Sequence, residues 1–332
     1  MLKVNSLTGF GGKKGGSISI LVTGSYLYDI TDFTAENLLF SFNYWSFKST
    51  FSSDNSTFYI TDQTLDGIKS YDFSDPTSPV LLDSVVAGTA NGIYPRCVHI
   101  HPNGNYAYTN GINSSGYLQI YNITDPSAMT YVTEFYNASL NNDSNDSDID
   151  NIYGTLAVSV GTKILFLNTQ TPESLSSQSD ISVGGGADVK FRSSTHHAFV
   201  TKYGANTQFT SITVPQTGNH TILHGLSLAT HGNVNKVALD LDTDVAYIST
   251  STNRIVSVDI SDASSMSVLS YIYNTEISTA TEQIHVDSVT KKLYGEATSG
   301  GVFEIDVTDP SSMGSFIVNT GISTSYGMNG TN

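Results

Sequence analysis

Asp146, Asp148 and Asp150 occupy alternate positions in the run Asn141-Asn142-Asp143-Ser144-Asn145-Asp146-Ser147-Asp148-Ile149-Asp150, the densest acidic stretch of the chain. Carboxylates two residues apart can converge their oxygens on a hard cation, and with Asp143 and Asn145 alongside they form a candidate calcium site. The run departs from the helix–loop–helix calcium loop, which needs a glycine at its sixth place and a glutamate at its twelfth. Counting from Asp146, those places hold Asn151 and Ala157. A solvated acidic loop joining two structural repeats accounts for the same residues without a metal. The sequence therefore implies no cofactor, with calcium as the one candidate. Asp240, Asp242 and Asp244 share the spacing, but they stand where another repeat has Pro102-Asn103-Gly104, so a hairpin turn explains them.

Histidines 99, 101, 196, 197, 220, 224, 231 and 285 are the other candidate ligands or bases. His99 and His285 each stand nine residues before a tyrosine, Tyr108 and Tyr294, at equivalent places of repeated strands, so both could approach a shared channel. Lys190 and Ala238 fall near that place in other copies and interrupt any ring of imidazoles. Ordinary packing is the default role of such histidines. No Gly-x-Ser-x-Gly elbow occurs, and Gly184-Gly185-Gly186 leads into a strand, so it is no phosphate cradle. Paired carboxylates of the glycosidase kind are assembled by the fold and leave no trace in sequence. On these grounds the sequence predicts a protein that is not an enzyme. Tyr44, Trp45 and Phe47, following Tyr26 and Tyr28, make the densest aromatic run, which either contacts a sugar or protein receptor or packs inside the fold.

The chain that must position these residues has 332 residues, 14 Lys+Arg against 30 Asp+Glu and a net charge of −16. So acidic a body offers no cationic track for nucleic acid. The single cysteine excludes a disulfide scaffold or a cysteine zinc site. No apolar run of signal-peptide length precedes Ser17, and none later reaches about 20 residues, so no membrane insertion is expected. One phrase recurs: Tyr28-Asp29-Ile30-Thr31-Asp32, Tyr71-Asp72-Phe73-Ser74-Asp75-Pro76, Tyr121-Asn122-Ile123-Thr124-Asp125-Pro126, Val258-Asp259-Ile260-Ser261-Asp262 and Ile305-Asp306-Val307-Thr308-Asp309-Pro310. Its closing aspartates are 43, 50, 137 and 47 residues apart, and 137 is three steps of about 46. Two degenerate copies fill the long interval, Ile164 to Thr169 and Phe209 to Val214, making seven. Each copy reads as four short strands separated by turns, and long helical periodicity is absent. This predicts an all-β, seven-bladed propeller of four antiparallel strands per blade over residues 17–332. The first copy lacks a leading strand, so the segment Ile322 to Met328 is expected to supply it and close the ring.

The repeated phrase resembles the LVIVD-type propeller repeats of bacterial and archaeal surface proteins, a likeness that implies fold more than function. Val4-Asn5-Ser6-Leu7-Thr8-Gly9-Phe10-Gly11-Gly12 resembles the N-terminal peptide of some tailed-phage virion proteins. That likeness implies a docking arm over residues 1–16, with Leu2, Leu7, Phe10, Lys13 and Lys14 as attachment residues to other virion proteins. The expected function is that of a virion structural propeller on a phage head or tail, with the loops around 111–116 and 141–150 facing outward. Its alternatives are a host-surface glycan or protein receptor-binding propeller, a cell-surface binding protein of the same repeat type with an extracellular location, and a calcium-dependent propeller hydrolase.

Overall fold

A computed structural model describes residues 2–7, 18–23, 26–35, 38–42, 49–62, 65–86, 94–112, 116–141, 144–184, 186–202, 208–216, 218–278, 283–298 and 300–322. Seven four-stranded antiparallel sheets succeed one another, each with its strands side by side in chain order. The third sheet shows the unit: Tyr94–Ile100, Tyr106–Ile112, Tyr117–Asn122 and Thr130–Tyr136, from the axis outward. From sheet two to sheet seven the first strands of successive sheets pack on one another, and the first strand of sheet one meets that of sheet seven. The molecule is a seven-bladed β-propeller, as the repeat predicts. The degenerate copies are third strands too, Lys163–Asn168 and Phe209–Thr213.

The repeated phrase encodes the turn between third and fourth strands. In the second blade Asp72 accepts the Ser74 amide at 2.9 Å, and Asp75 accepts the Thr77 amide and hydroxyl at 2.9 and 2.6 Å. Asn122 and Asp125, Asp259 and Asp262, and Asp306 and Asp309 bind residues two places on in the same way. These short side chains satisfy amides that a tight turn would leave open. A hydroxyl in the third strand then reaches the turn of the next blade. Ser70 donates to the Pro126 carbonyl at 2.6 Å and Ser257 to the Pro310 carbonyl at 2.7 Å. Ser211 makes the corresponding bond to Ala263.

Apolar burial lies between blades. Phe199 and Phe209 of the fifth pack with Val237, Ile248 and Val256 of the sixth. At the seam, Leu21, Tyr28 and Phe33 of the first blade meet Tyr294, Val302 and Ile322 of the seventh, and Asn319 donates to the Phe33 carbonyl at 2.6 Å.

Closure differs from expectation. The innermost strand of the first blade is Leu2–Leu7, paired antiparallel with Ile18–Thr23, so the N-terminal segment and not the C-terminal one completes that blade. Of the expected closing segment, residues 323–328 lie outside the described residues.

Candidate functional site

The register fixes one station on every inner strand. Thr50, His99, Asp148, Lys190, Ala238 and His285 pair with Tyr59, Tyr108, Ala157, Phe199, Tyr247 and Tyr294, each nine residues further on. In the first blade the residue at that register is Lys3, opposite Val22. The equivalence of His99 and His285 and the interruption at Lys190 and Ala238 are as expected. Asp148 in the same station is not.

Residues 144–149 form the inner strand of the fourth blade, not an outward-facing loop. Partners from later blades hold its aspartates there. Asp146 is fully buried, 3.3 Å from the Lys236 ammonium. Asp188, also buried, takes Lys190 at 2.9 Å and the Val237 amide at 3.0 Å. Burial works against the Lys190 ammonium, but the Asp188 and Asp148 carboxylates outweigh it and hold its pKa above the usual lysine value. Asp148 accepts the Phe191 amide at 2.8 Å. Burial raises its pKa, a push that the Lys190 charge only partly offsets.

Asp150 sits past the strand end and caps a turn through the Ile152 and Tyr153 amides at 3.3 and 2.9 Å. Alternate strand residues share a face but stand about 6.6 Å apart, twice the strand rise, so the three carboxylates are not drawn to one point. Among the described residues no group of three His, Cys, Asp or Glu side chains could hold a metal ion. Asp143 lies outside the described residues, as do Phe10, Lys13, Lys14, Tyr44, Trp45 and Phe47. Leu2 and Leu7 are the ends of the first inner strand.

Where the inner strands turn back, the hairpins of the second, third and fourth blades stand around a cavity of about 620 Å³. His99, Asp148, Thr50 and Tyr59 line it together with hairpin residues Ser52, Asp54, His101 and Asn151, and the Ile123–Thr124 turn forms a wall. Asp54 is held below the usual carboxylate range by the Ser52 hydroxyl and by Ser56. The Tyr59 phenol is pushed up to about 12 by burial and by the Asp54 charge, so it stays a protonated donor. His101 accepts the Asn103 amide on Nδ1 at 3.2 Å, which places the proton of the neutral ring on Nε2. Gly154 sits at φ +62, and a Cβ there would come within 3.5 Å of that Nε2. The cavity thus gathers a carboxyl group whose pKa burial raises, two imidazoles and a phenol donor. The nine-residue step before a tyrosine made His99 legible as an inner-strand residue equivalent to His285, but nothing else in the sequence paired it with Asp148.

No family profile matches the chain, and no curated protein matches it. Solved structures do. A protein of unknown function from Desulfotomaculum acetoxidans superposes with a TM-score of 0.74 at 13% identity, covering 92% of this chain and 97% of that one. The periplasmic gluconolactonase of Pseudomonas aeruginosa gives 0.73 at 13%, with 97% and 96% covered. A Bacteroides uniformis protein named as a candidate 6-phosphogluconolactonase gives 0.71 at 12%, with 95% and 94% covered. At such identities the likeness shows the seven-bladed fold. It carries neither the LVIVD repeat type nor the phage-like N-terminal peptide, and it lends no support to a virion role. The expectation of a non-enzyme is overturned, because proteins named as lactonases share this fold over nearly their whole length. The missing nucleophile elbow and phosphate loop excluded only chemistries that depend on a strand–helix junction, and a propeller builds its sites from inner strands and hairpins instead.

Proposed function

We propose that the protein binds small hydroxyl-rich molecules in the cavity between the second, third and fourth blades and hydrolyses a cyclic ester among them. The observation that carries this reading is Asp148, a carboxyl group of raised pKa that lines a polar cavity shared with His99, His101 and Tyr59. A carboxylate of raised pKa is a better base near neutrality than an ordinary aspartate. In this mechanism Asp148 takes a proton from water, and the hydroxide adds to the ester carbonyl. The ring C–O bond then breaks, and the leaving oxygen recovers the proton from Asp148. Tyr59 and the Nε2–H of His101 are the donors available to the carbonyl oxygen as charge develops there. Lactones are the first substrates to try, since two of the structural neighbours carry lactonase names. Attachment to a particle through residues 1–16 is not part of this reading, since Leu2–Leu7 is engaged as a blade strand.

The test is the hydrolysis of gluconolactone above its spontaneous rate, followed by the Asp148→Asn variant. Asparagine keeps the size of the side chain and can still accept the Phe191 amide. We expect kcat to fall about 100-fold or more with KM little changed and the melting curve intact. An unchanged kcat in a folded variant would remove Asp148 from the chemistry.

A further inference from the structure

The charge of the cavity says which ligands it takes. Two carboxylates line it, Asp54 at the rim and Asp148 at depth, and among the described lining residues there is neither lysine nor arginine. The lysine nearest in electrostatic terms is Lys190, which acts on Asp148 but is engaged with Asp188 at 2.9 Å. Asp54 is ionised at neutral pH, because the Ser52 hydroxyl and Ser56 stabilise its charged form. The rest of the lining supplies neutral hydrogen-bonding groups, chiefly serine and threonine hydroxyls, with the faces of Phe51 and Tyr59 as apolar surface. A phosphate or carboxylate group is normally met by a guanidinium, an ammonium or a nest of backbone amides. In this cavity it would face like charge instead, a repulsion felt over several ångströms at low salt.

We propose that the cavity selects uncharged polyhydroxylated ligands and rejects their phosphorylated counterparts. This rests on the reading of the cavity as the working site and adds the class of substrate. It separates the protein's chemistry from what the name 6-phosphogluconolactonase implies for one of its structural neighbours.

The experiment compares gluconolactone with its 6-phosphate ester at neutral pH and low salt, by turnover and by titration calorimetry, on the full chain. We expect the neutral lactone to be favoured by at least about tenfold. Asn151→Lys places an ammonium at the rim without disturbing Asp54, since Asn151 is exposed and its backbone amide, not its side chain, bonds Ser193. It should narrow the preference by about tenfold. Asp54→Asn, which removes one charge from the same rim, should narrow it too. Equal or tighter handling of the phosphate ester, or a preference that neither variant moves, overturns the proposal. Binding of the neutral lactone over its ester without turnover would keep the charge selectivity and sink the hydrolase reading. Binding of neither would overturn both.

Discussion

The hairpins at the two sides of this ring are put to different uses. From the fourth blade to the seventh, each grips the next. Asn151 donates its amide to Ser193 at 3.0 Å, and the Tyr153 ring lies 3.9 Å from that of His196, nearly parallel. Arg192 then reaches Asp244 at 2.5 Å and the Ile260 carbonyl at 2.8 Å, and Lys291 reaches Asp240 at 2.9 Å. Between the second and fourth blades the corresponding hairpins line the cavity. Every blade is built on the same ladder, so what separates the two sides is a few side chains at the turns. Neighbouring hairpins of a repeat protein can therefore grip one another or border a cavity, without any change in the architecture that carries them.

The largest effect expected from disturbing the clasped side is a response to acid. His220, on the outer part of the fifth blade, stacks on Phe166 of the fourth at 3.8 Å and shares a hydrogen bond with Ser179 at 2.7 Å. Its Nε2 is buried without a partner, so a proton there would have no acceptor, and burial brings the pKa down to about 4. The unfolded imidazole titrates near 6.5, so the unfolded chain binds more protons between those two values. The neutral ring's contribution is thus complete above about pH 6.5 and is lost as pH falls towards 4, up to about 3 kcal/mol. His220→Phe keeps a stacked ring and cannot titrate. Urea unfolding at pH 7 and at pH 4 should show a smaller acid loss in the variant, and parallel losses in the two proteins would refute the assignment.

Next in size is the clasp between the sixth and seventh blades. Asp240 is fully buried and takes Lys291, the Thr243 hydroxyl at 2.8 Å and the Asp242 amide at 3.2 Å. Asp240→Ala leaves a lysine and a turn without their acceptor, at a cost of about 2 kcal/mol. Asp54→Ala on the open side removes an exposed carboxylate that serves only its own hairpin, Ser52 and Ser56. That change should cost less than about 1 kcal/mol. Equal losses in chemical denaturation would erase the contrast between the two sides.

How much of this could be read from the chain depends on how local each cause is. The Asp-x-Ser/Thr turns announce themselves because an aspartate satisfies amides two places on, whatever surrounds it, and that regularity gave the blade count. The nine-residue step made His99 and His285 equivalent for the same reason. Asp148 obeys the step as well, yet a run of Asn, Asp and Ser composes like a loop. The charges that its carboxylates meet on the inner strand come from elsewhere, Lys190 and Lys236, which lie 42 and 88 residues beyond Asp148 (190 − 148 and 236 − 148). The place of Leu2–Leu7 was hidden likewise, because a segment followed by a glycine-rich sequence reads as a tail until the pairing of Leu2–Leu7 with Ile18–Thr23 is seen. The cavity arises from how three hairpins stand relative to one another, and no single segment encodes that.

The smallest effect divides the two sides most finely. Ser70 holds the second blade to the third and Ser257 the sixth to the seventh, each through the carbonyl of a turn proline. On the clasped side that carbonyl has a second donor, the Ser270 hydroxyl at 2.8 Å. For the Pro126 carbonyl, which belongs to a residue lining the cavity, Ser70 is the one side-chain donor among the described residues. Ser70→Ala therefore leaves a half-buried acceptor without its side-chain donor and should cost about 1 kcal/mol, whereas Ser257→Ala should cost roughly half of that. The double change Ser257→Ala with Ser270→Ala should bring the clasped side to the same loss as Ser70→Ala alone. If Ser257→Ala by itself already matches Ser70→Ala, the Ser270 hydroxyl is no substitute, and the two sides are latched alike at this level even though their hairpins differ.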